Sequence, residues 1–301
     1  MQERTKSKTT EEVQEINLGL KCQKFSYGDF NKAGTIDLWK IAKAFESGRS
    51  AALFQGLKDG IQIDSRIGLF VRFQQIDLSE TFHSMVNATA VWDMPVRVSY
   101  VGKTSLCMDN AIICQSSRIE LGRSVCQAVR VDRATRRPVP LPQEVATTYQ
   151  KTATRSGHPQ FDFPAMIPGR EFTYTISTRA FPSDTDSNQH VNQSLSFKYC
   201  MDCASVAAME GNVFSGFSTD VAYYLIKTFA VEYVGEMRVG DNIDIVCWED
   251  QDDPCSLWFL VKVEERVVSR CKGEWYADSN RKPVKQTRPR PILWHKPASN
   301  L

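Results

Sequence analysis

The clearest alternation of apolar and polar positions lies in the second half of the chain. Phe172, Tyr174 and Ile176 alternate with polar neighbours and predict a strand, which Pro182-Ser183-Asp184 ends. The period then changes. Leu195, Tyr199, Val206 and Met209 supply the apolar positions of a helix from about Val191 to Glu210, and Gly211-Asn212 supplies its stop. Alternation returns in Tyr223, Leu225, Phe229, Val231 and Tyr233, a long strand, and again over 242–249, 256–264 and 267–276. Asp252-Asp253-Pro254 provides turn chemistry between two of these runs. One helix followed by antiparallel strands on short connections predicts an α+β layer, the helix lying against a curved sheet.

The first half reads similarly, with a helix from about Thr35 to Leu57 and a longer connection over roughly 58–92. Four landmarks recur in the same order in both halves. Asp29-Phe30-Asn31 and Asp186-Ser187-Asn188 each precede the helical run. Tyr100-Val101-Gly102 and Tyr233-Val234-Gly235 each close an alternating run. A second apolar run follows each, Ala111–Cys114 and Ile243–Cys247. Arg137-Pro138-Val139 and Lys282-Pro283-Val284 end the two units. The expected organisation is a first unit over 15–142, a Thr-, Pro-, Gly- and Ser-rich linker over 143–170, a second unit over 171–286 and a basic tail over 287–301.

Composition narrows the class. With 42% hydrophobic and 24% charged residues among 301, the chain is ordinary for a soluble globular protein. Its 37 basic and 35 acidic residues nearly cancel, which argues against a nucleic-acid partner. No run reaches the roughly 18 apolar residues of a membrane span. The start, Met1 to Lys8, lacks the apolar core of a signal peptide. Nine scattered cysteines fit reduced thiols in the cytosol. Cys200 and Cys203 form a CxxC within the predicted helix, but no second ligand pair follows, so they read as two small buried residues rather than a metal site. Ser299-Asn300-Leu301 only loosely resembles the peroxisomal Ser-Lys-Leu address. A cytoplasmic location is expected.

Candidate chemistry concentrates in residues 184–193, Asp-Thr-Asp-Ser-Asn-Gln-His-Val-Asn-Gln. Asp186, Asn188 and His190 supply a charge, a dipole and a proton carrier just before a helix whose N-terminal backbone donors suit an oxyanion. Each also has a structural reading. Asp186 or Asn188 can simply cap the helix, His190 can be a surface residue, and Glu236 a solvated strand-edge residue. Their joint spacing favours a site. Basic residues at Arg133, Arg136 and Arg137, and at Arg281, Lys282, Lys285, Arg288, Arg290 and Lys296, can meet phosphates or an acidic protein face. The alternative is a solvated turn and a solvated tail.

Asp186-Ser187-Asn188-Gln189-His190-Val191-Asn192 resembles the Asp-x-Asn-Gln-His-Val-Asn-Asn motif of plant-type acyl-ACP thioesterases. It is also similar to the Asp-x-Asp-x-x-Gly-His-Val-Asn-Asn of the 4-hydroxybenzoyl-CoA thioesterase group. Gln189 replaces the Gly of the second pattern, and Gln193 the final Asn of both. Tyr233-Val234-Gly235-Glu236-Met237 resembles the plant-type Tyr-Arg-Arg-Glu-Cys, with Met237 in place of Cys.

The resemblance implies a tandem double hotdog, two units each with a long helix wrapped by a curved antiparallel sheet, their sheets joined and the acyl site at the seam. It implies hydrolysis of a fatty acyl or aryl thioester by water, without metal or redox cofactor. Coenzyme A or an acyl carrier protein would enter only as part of the substrate. Glu236 is the candidate base and Asn188 the holder of water or carbonyl. His190 would hydrogen-bond the thioester or pass a proton, and Asp186 would orient it. Backbone donors at Val191 or Asn192 would stabilise the oxyanion, and Tyr199 would line the core or tunnel. A directly attacking carboxylate stays open.

Aligning Asp29-Phe30-Asn31 with Asp186-Ser187-Asn188 sets Lys32-Ala33 opposite Gln189-His190, and the Tyr-Val-Gly match sets Lys103 opposite Glu236. The first unit is therefore expected to be catalytically inert. Two alternatives remain. A hotdog enoyl hydratase tends to read Asp-x-Asn-Pro-x-His; here His190 stands four after Asp186 and no Pro intervenes. A non-catalytic acyl-binding double hotdog gains from Gln189, Gln193 and Met201-Asp202, which stand where relatives carry other groups; in it Glu236 should point away from His190. Acyl length, carrier and further oligomerisation stay open.

Overall fold

The computed structural model describes residues 18–277 except 152, 161, 166, 170, 171, 187, 188, 211 and 212. β1 (Leu18–Gln23) leads through a 3-10 turn to α1 (Leu38–Ala52). Leu38, Ile41, Ala42, Phe45 and Ala52 give α1 one buried face. The helix continues through a π-helical segment, Leu53–Leu57, into α2 (Lys58–Ile61). Gly56 takes φ 124° there, a conformation open to glycine and to few other residues. Then come β2 (Ile67–Leu78), α3 (Glu80–Met85), β3 (Trp92–Val101), β4 (Ser105–Cys114), β5 (Glu120–Asp132) and the short β6 (Arg137–Pro138). α4 (Gln143–Gln150) opens the segment expected as a linker, and its Val145 packs with Leu57, Ile61 and Leu106.

The second half holds β7 (Tyr174–Arg179), α5 (Ser194–Glu210), β8 (Ile226–Tyr233), β9 (Asn242–Glu249), β10 (Ser256–Val263) and β11 (Arg266–Trp275). All strands join one antiparallel sheet in the order β1-β3-β4-β5-β2-β8-β11-β10-β9-β7, with β6 paired to β5. Read inward from each edge, the two halves have the same strand order. α1 packs on β1, β3 and β4, α5 on β7, β9 and β10, and the helices touch each other. The shared core includes Phe197 of α5, Phe229 of β8 and Phe259 of β10, with ring centroids 5.3 and 5.7 Å apart in sequence. Truncating a ring so enclosed costs about 3–5 kcal/mol.

Three expectations need correction. The connection over 58–92 contains β2, the strand at the centre of the whole sheet, and α3. The helix stripe of α5 runs through Phe197, Cys200, Cys203, Ala204 and Ala207, whereas Met209 is exposed. The repeat exists, but three of its four landmarks pair differently: the Asp-x-Asn loops are offset, and the apolar run Ala111–Cys114 lies in β4, the counterpart of β10 and not of the β9 that holds Ile243–Cys247. Topology makes β2 the counterpart of β8 and β3 that of β9, so Tyr100 and Tyr233 are not equivalent and Lys103 does not stand opposite Glu236.

Hydrogen bonds fix the true register of the loops before the helices. Asp37 N–H donates to Asp29 O (2.9 Å) as Asn192 N–H does to Asp184 O (2.8 Å). Asn31 N–H donates to Thr35 O (2.8 Å) as Asp186 N–H does to His190 O (2.8 Å). Gly34 N–H donates to Asn31 O as Gln189 N–H does to Asp186 O, both at 3.0 Å. Gly34 and Gln189 both sit in the left-handed region, at φ 77° and 62°. The loops are one device built twice. In the first copy Asn31 replaces Asp186 and Thr35 replaces His190.

The seam between the halves is short. Phe73 to Asp77 of β2 pair with Glu232 to Thr228 of β8. Before Phe73 a bulge interrupts β2, and Ile67 to Val71 stay paired to β5 while β8 ends at Tyr233. The sheet therefore opens beside the end of β8.

Candidate functional site

Three segments converge at that opening. The loop before α5 brings His190, the turn after β8 brings Glu236, and the turn after β5 brings Arg136 from the first half. His190 Nε2 lies 3.3 Å from Glu236 Oε2. Arg136 Nη2 donates to the same carboxylate oxygen and lies 3.2 Å from His190 Nε2. Arg238 Nη2 stands 3.7 Å from that oxygen, and Arg266 Nη2 donates to the Glu236 carbonyl at 3.2 Å. A guanidinium only donates. If His190 Nε2 accepts from Arg136, the ring proton sits on Nδ1; if Nε2–H donates to Glu236, the arginine is a close cation only. In both tautomers acid and imidazole share one positive neighbour.

Main-chain bonds hold the group in place. Asp186 accepts the His190 N–H at 3.4 Å and donates its own to the His190 carbonyl. Val191 N–H donates to Met237 O at 2.9 Å, and His190 bridges Arg238, so the loop is laced to the turn carrying Glu236. The ring of Phe70, on β2, lies 6.2 Å from the His190 ring and 5.3 Å from the Arg136 guanidinium. Arg136 is aimed by a turn built on Asp132. That carboxylate accepts the N–H groups of Ala134 (3.0 Å) and Thr135 (2.9 Å) and the Arg66 Nε (2.8 Å). The Thr135 N–H foremost, then Arg66, hold the Asp132 carboxyl down at about 2.

Two cavities meet here. The inner one, about 330 Å³, lies on the helix side and is bordered by Leu53, Leu69, Met108, Asp186 and His190. The outer trough, about 1060 Å³, is bordered by Arg72, Arg136, Arg266 and Arg270 with Asp162 and Glu232. Phe70, Val71, Tyr233, Gly235 and Glu236 border both. The site thus lies between a basic outer trough and an inner chamber of mixed polar and apolar lining.

Of the residues expected from sequence, Asp186, His190 and Glu236 come together, and Val191 lines the inner cavity. Asn188 lies outside the described residues, as do the tail cations from Arg281 onward. The backbone donors of Val191 and Asn192 are already committed, to Met237 O and Asp184 O, so neither is free for an oxyanion. The Asn192 side chain has a structural role: its Oδ1 accepts the Ser194 N–H (2.9 Å) and its Nδ2 donates to Glu46 of α1 (3.1 and 3.2 Å). Tyr199 borders neither cavity; it is buried, its hydroxyl donates to Asp184 Oδ2 at 3.4 Å, and burial pushes its ionisation up.

The sequence places Arg136 only within a basic turn. Its true partner lies 100 positions away, and nothing local in the sequence signals that. Cys200 and Cys203 are fully buried, with Cys203 Sγ 3.4 Å from Cys247 Sγ. Among the described residues no His, Cys, Asp and Glu cluster is arranged to hold a metal, and no helix is long and apolar enough to cross a membrane.

No protein-family model matches the chain, and no curated protein matches it in sequence. Solved structures match over most of its length. An oleoyl thioesterase from Lactobacillus plantarum is 16% identical, with a TM-score of 0.67, covering 87% of this chain and 98% of that one. An acyl-ACP thioesterase from Bacteroides thetaiotaomicron is 17% identical, with a TM-score of 0.64, over 86% and 97%. A 12:0-ACP thioesterase from Umbellularia californica is 14% identical, with a TM-score of 0.64, over 84% and 95%. At such identities the likeness establishes the fold, which is the α+β double hotdog.

Proposed function

We propose that the protein is an acyl thioesterase that uses water to split an acyl-CoA or acyl-ACP thioester into a carboxylic acid and a thiol. One observation carries this reading: the Glu236 carboxylate faces His190 Nε2 at 3.3 Å, at the junction of the two cavities. A non-catalytic acyl binder predicts Glu236 turned away from His190, and it is not. Proteins of similar fold over most of this chain, including those from Bacteroides and Umbellularia, bear names of thioesterases.

In the proposed mechanism the acyl chain occupies the inner cavity and the carrier's phosphate-bearing arm follows the outer trough, where Arg72, Arg266 and Arg270 lie. The thioester then sits beside Glu236. Glu236 takes a proton from water, and the hydroxyl adds to the carbonyl carbon. The C–S bond breaks as the tetrahedral intermediate collapses, and the thiolate receives a proton through His190 or the protonated Glu236. Arg136 holds the carboxylate in place before the proton moves, and its charge lies beside the developing oxyanion. No metal or redox partner enters; the first half supplies Arg136 and Phe70 and carries no proton-handling pair of its own.

The test is release of free thiol from short to long, linear and aromatic acyl-CoAs and the same acyl groups on a carrier protein. His190→Ala and Glu236→Gln should each lower kcat/KM by about 10²–10⁴. Unchanged turnover in both variants overturns the assignment of the site.

A further inference from the structure

We infer that the inner cavity is built for an acyl group that carries an oxygen acceptor on its chain, held by Arg49, rather than for a plain alkyl chain. The naming of the ligand as an acyl group rests on the thioesterase reading; the polar floor does not. Arg49, on α1, borders the cavity and is 4% exposed, yet its Nη1 and Nη2 have no hydrogen-bond partner among the described residues. A buried guanidinium without an acceptor is strongly unfavourable, so such a group is kept for something that arrives.

Glu46, one turn earlier on the helix, borders the same cavity. Both of its carboxylate oxygens accept from Asn192 Nδ2, and no ion pair to Arg49 forms among the described residues. Two further groups on the same cavity are buried and unpartnered: Gln193 Oε1 and the Ser269 hydroxyl. Tyr233 ties the cluster together. It is the cross-strand partner of Ser269, its hydroxyl donates to the Gln193 carbonyl at 2.9 Å, and the Arg49 charge acts on it. Leu53, Leu69, Val71 and Met108 supply an apolar part of the wall, and Ser50, Asp186, His190 and Glu236 border it as well. None of the three polar groups serves the hydrolytic step. An alkyl chain would leave all of them unsatisfied. A ketone, hydroxyl or second carboxylate gives Arg49 its acceptor, and a hydroxyl also gives Gln193 Oε1 a donor.

The experiment is calorimetric titration of the whole protein with non-hydrolysable thioether analogues of acyl-CoA matched in chain length. The chains are plain, keto, hydroxy and terminal-carboxylate. At least one oxygen-bearing chain should bind ten times or more tightly than the plain one, and the best arm identifies the group. Arg49→Met should erase that preference while leaving plain-chain binding at least as tight. Ser269→Ala, which changes one small atom, should reduce the preference several-fold and serves if Arg49→Met does not fold. Equal binding across the matched chains, or a preference that survives Arg49→Met, overturns the inference. A preference seen without hydrolysis of the corresponding thioesters supports the inference and sinks the thioesterase reading instead.

Discussion

Asn192 joins two parts of the molecule with one amide, and removing it separates their contributions. Its Oδ1 caps α5 by accepting the Ser194 N–H at 2.9 Å and the Ser194 hydroxyl at 2.6 Å, while Nδ2 reaches Glu46 in the other half. Asn192→Ala loses both. The cap is worth about 1 kcal/mol, within a range of about 0.5–2. Leaving a half-buried carboxylate without its donor adds about 1–3 kcal/mol, toward the lower end because water still reaches Glu46. The sum is a loss of about 2–4 kcal/mol. Asn192→Ser keeps a capping oxygen but cannot reach Glu46, so about 1–2 kcal/mol should be lost. Asn192→Asp keeps the cap yet sets a carboxylate against Glu46, and should be no more stable than Asn192→Ala at neutral pH. Urea unfolding followed by tryptophan fluorescence gives the order, provided the slopes agree. Turnover by Asn192→Ser should stay within about threefold of wild type, because the main-chain donor is already used by Asp184. A Ser variant as unstable as Ala, or an Asp variant as stable as wild type, would refute this division of roles.

Three further outcomes are expected. Arg136→Met should change stability by less than about 1 kcal/mol, since the Arg136 and Glu236 side chains are 38% and 34% exposed, yet lower kcat/KM about tenfold to a hundredfold; paired unfolding curves and rates check it. Asp132 titrates near 2 in the fold against an ordinary 3.8, so its bonds favour folding above pH 3.8 and fade as pH falls toward 2. Melting curves of wild type and Asp132→Asn should therefore differ at pH 7 and converge between about pH 4 and 2. Gln189→Gly should raise stability by up to about 1 kcal/mol by relieving the left-handed backbone, and Gln189→Val should lower it by about 1–2, read from thermal midpoints.

What the sequence made legible was local. The period changes around α5 and the strands from β8 to β11 placed those elements to within a few residues, because each carries its own pattern of burial. Asp186 and His190 were legible because they act from one five-residue loop. β2 was not, because it lies at the middle of the sheet and is interrupted by Arg72, Gln74 and Gln75. Gln74 is fully buried against Ser124, and Arg72 reaches Glu232 and the Tyr233 carbonyl, so its polar residues report partners and not solvent. The repeat was seen by letters and mis-set by two residues, since Asp-x-Asn occurs in both loops at positions the backbone does not equate. The duties of Asn192 and Tyr199 were likewise hidden, because their partners, Glu46 and Asp184, decide them.

The turn from Arg133 to Arg136 has a consequence for how such a chain can change over generations. Two identical halves related by a twofold would own two centres, each borrowing a guanidinium from its neighbour. Once joined in one polypeptide, only one centre has to survive. The loop at Asn31 and Thr35 is then released from selection for chemistry, while the turn that serves the other half is not. Loss of activity in one copy does not make that copy dispensable. A gene encoding the second half alone would inherit the histidine and the glutamate, and lack the cation that brings them into register.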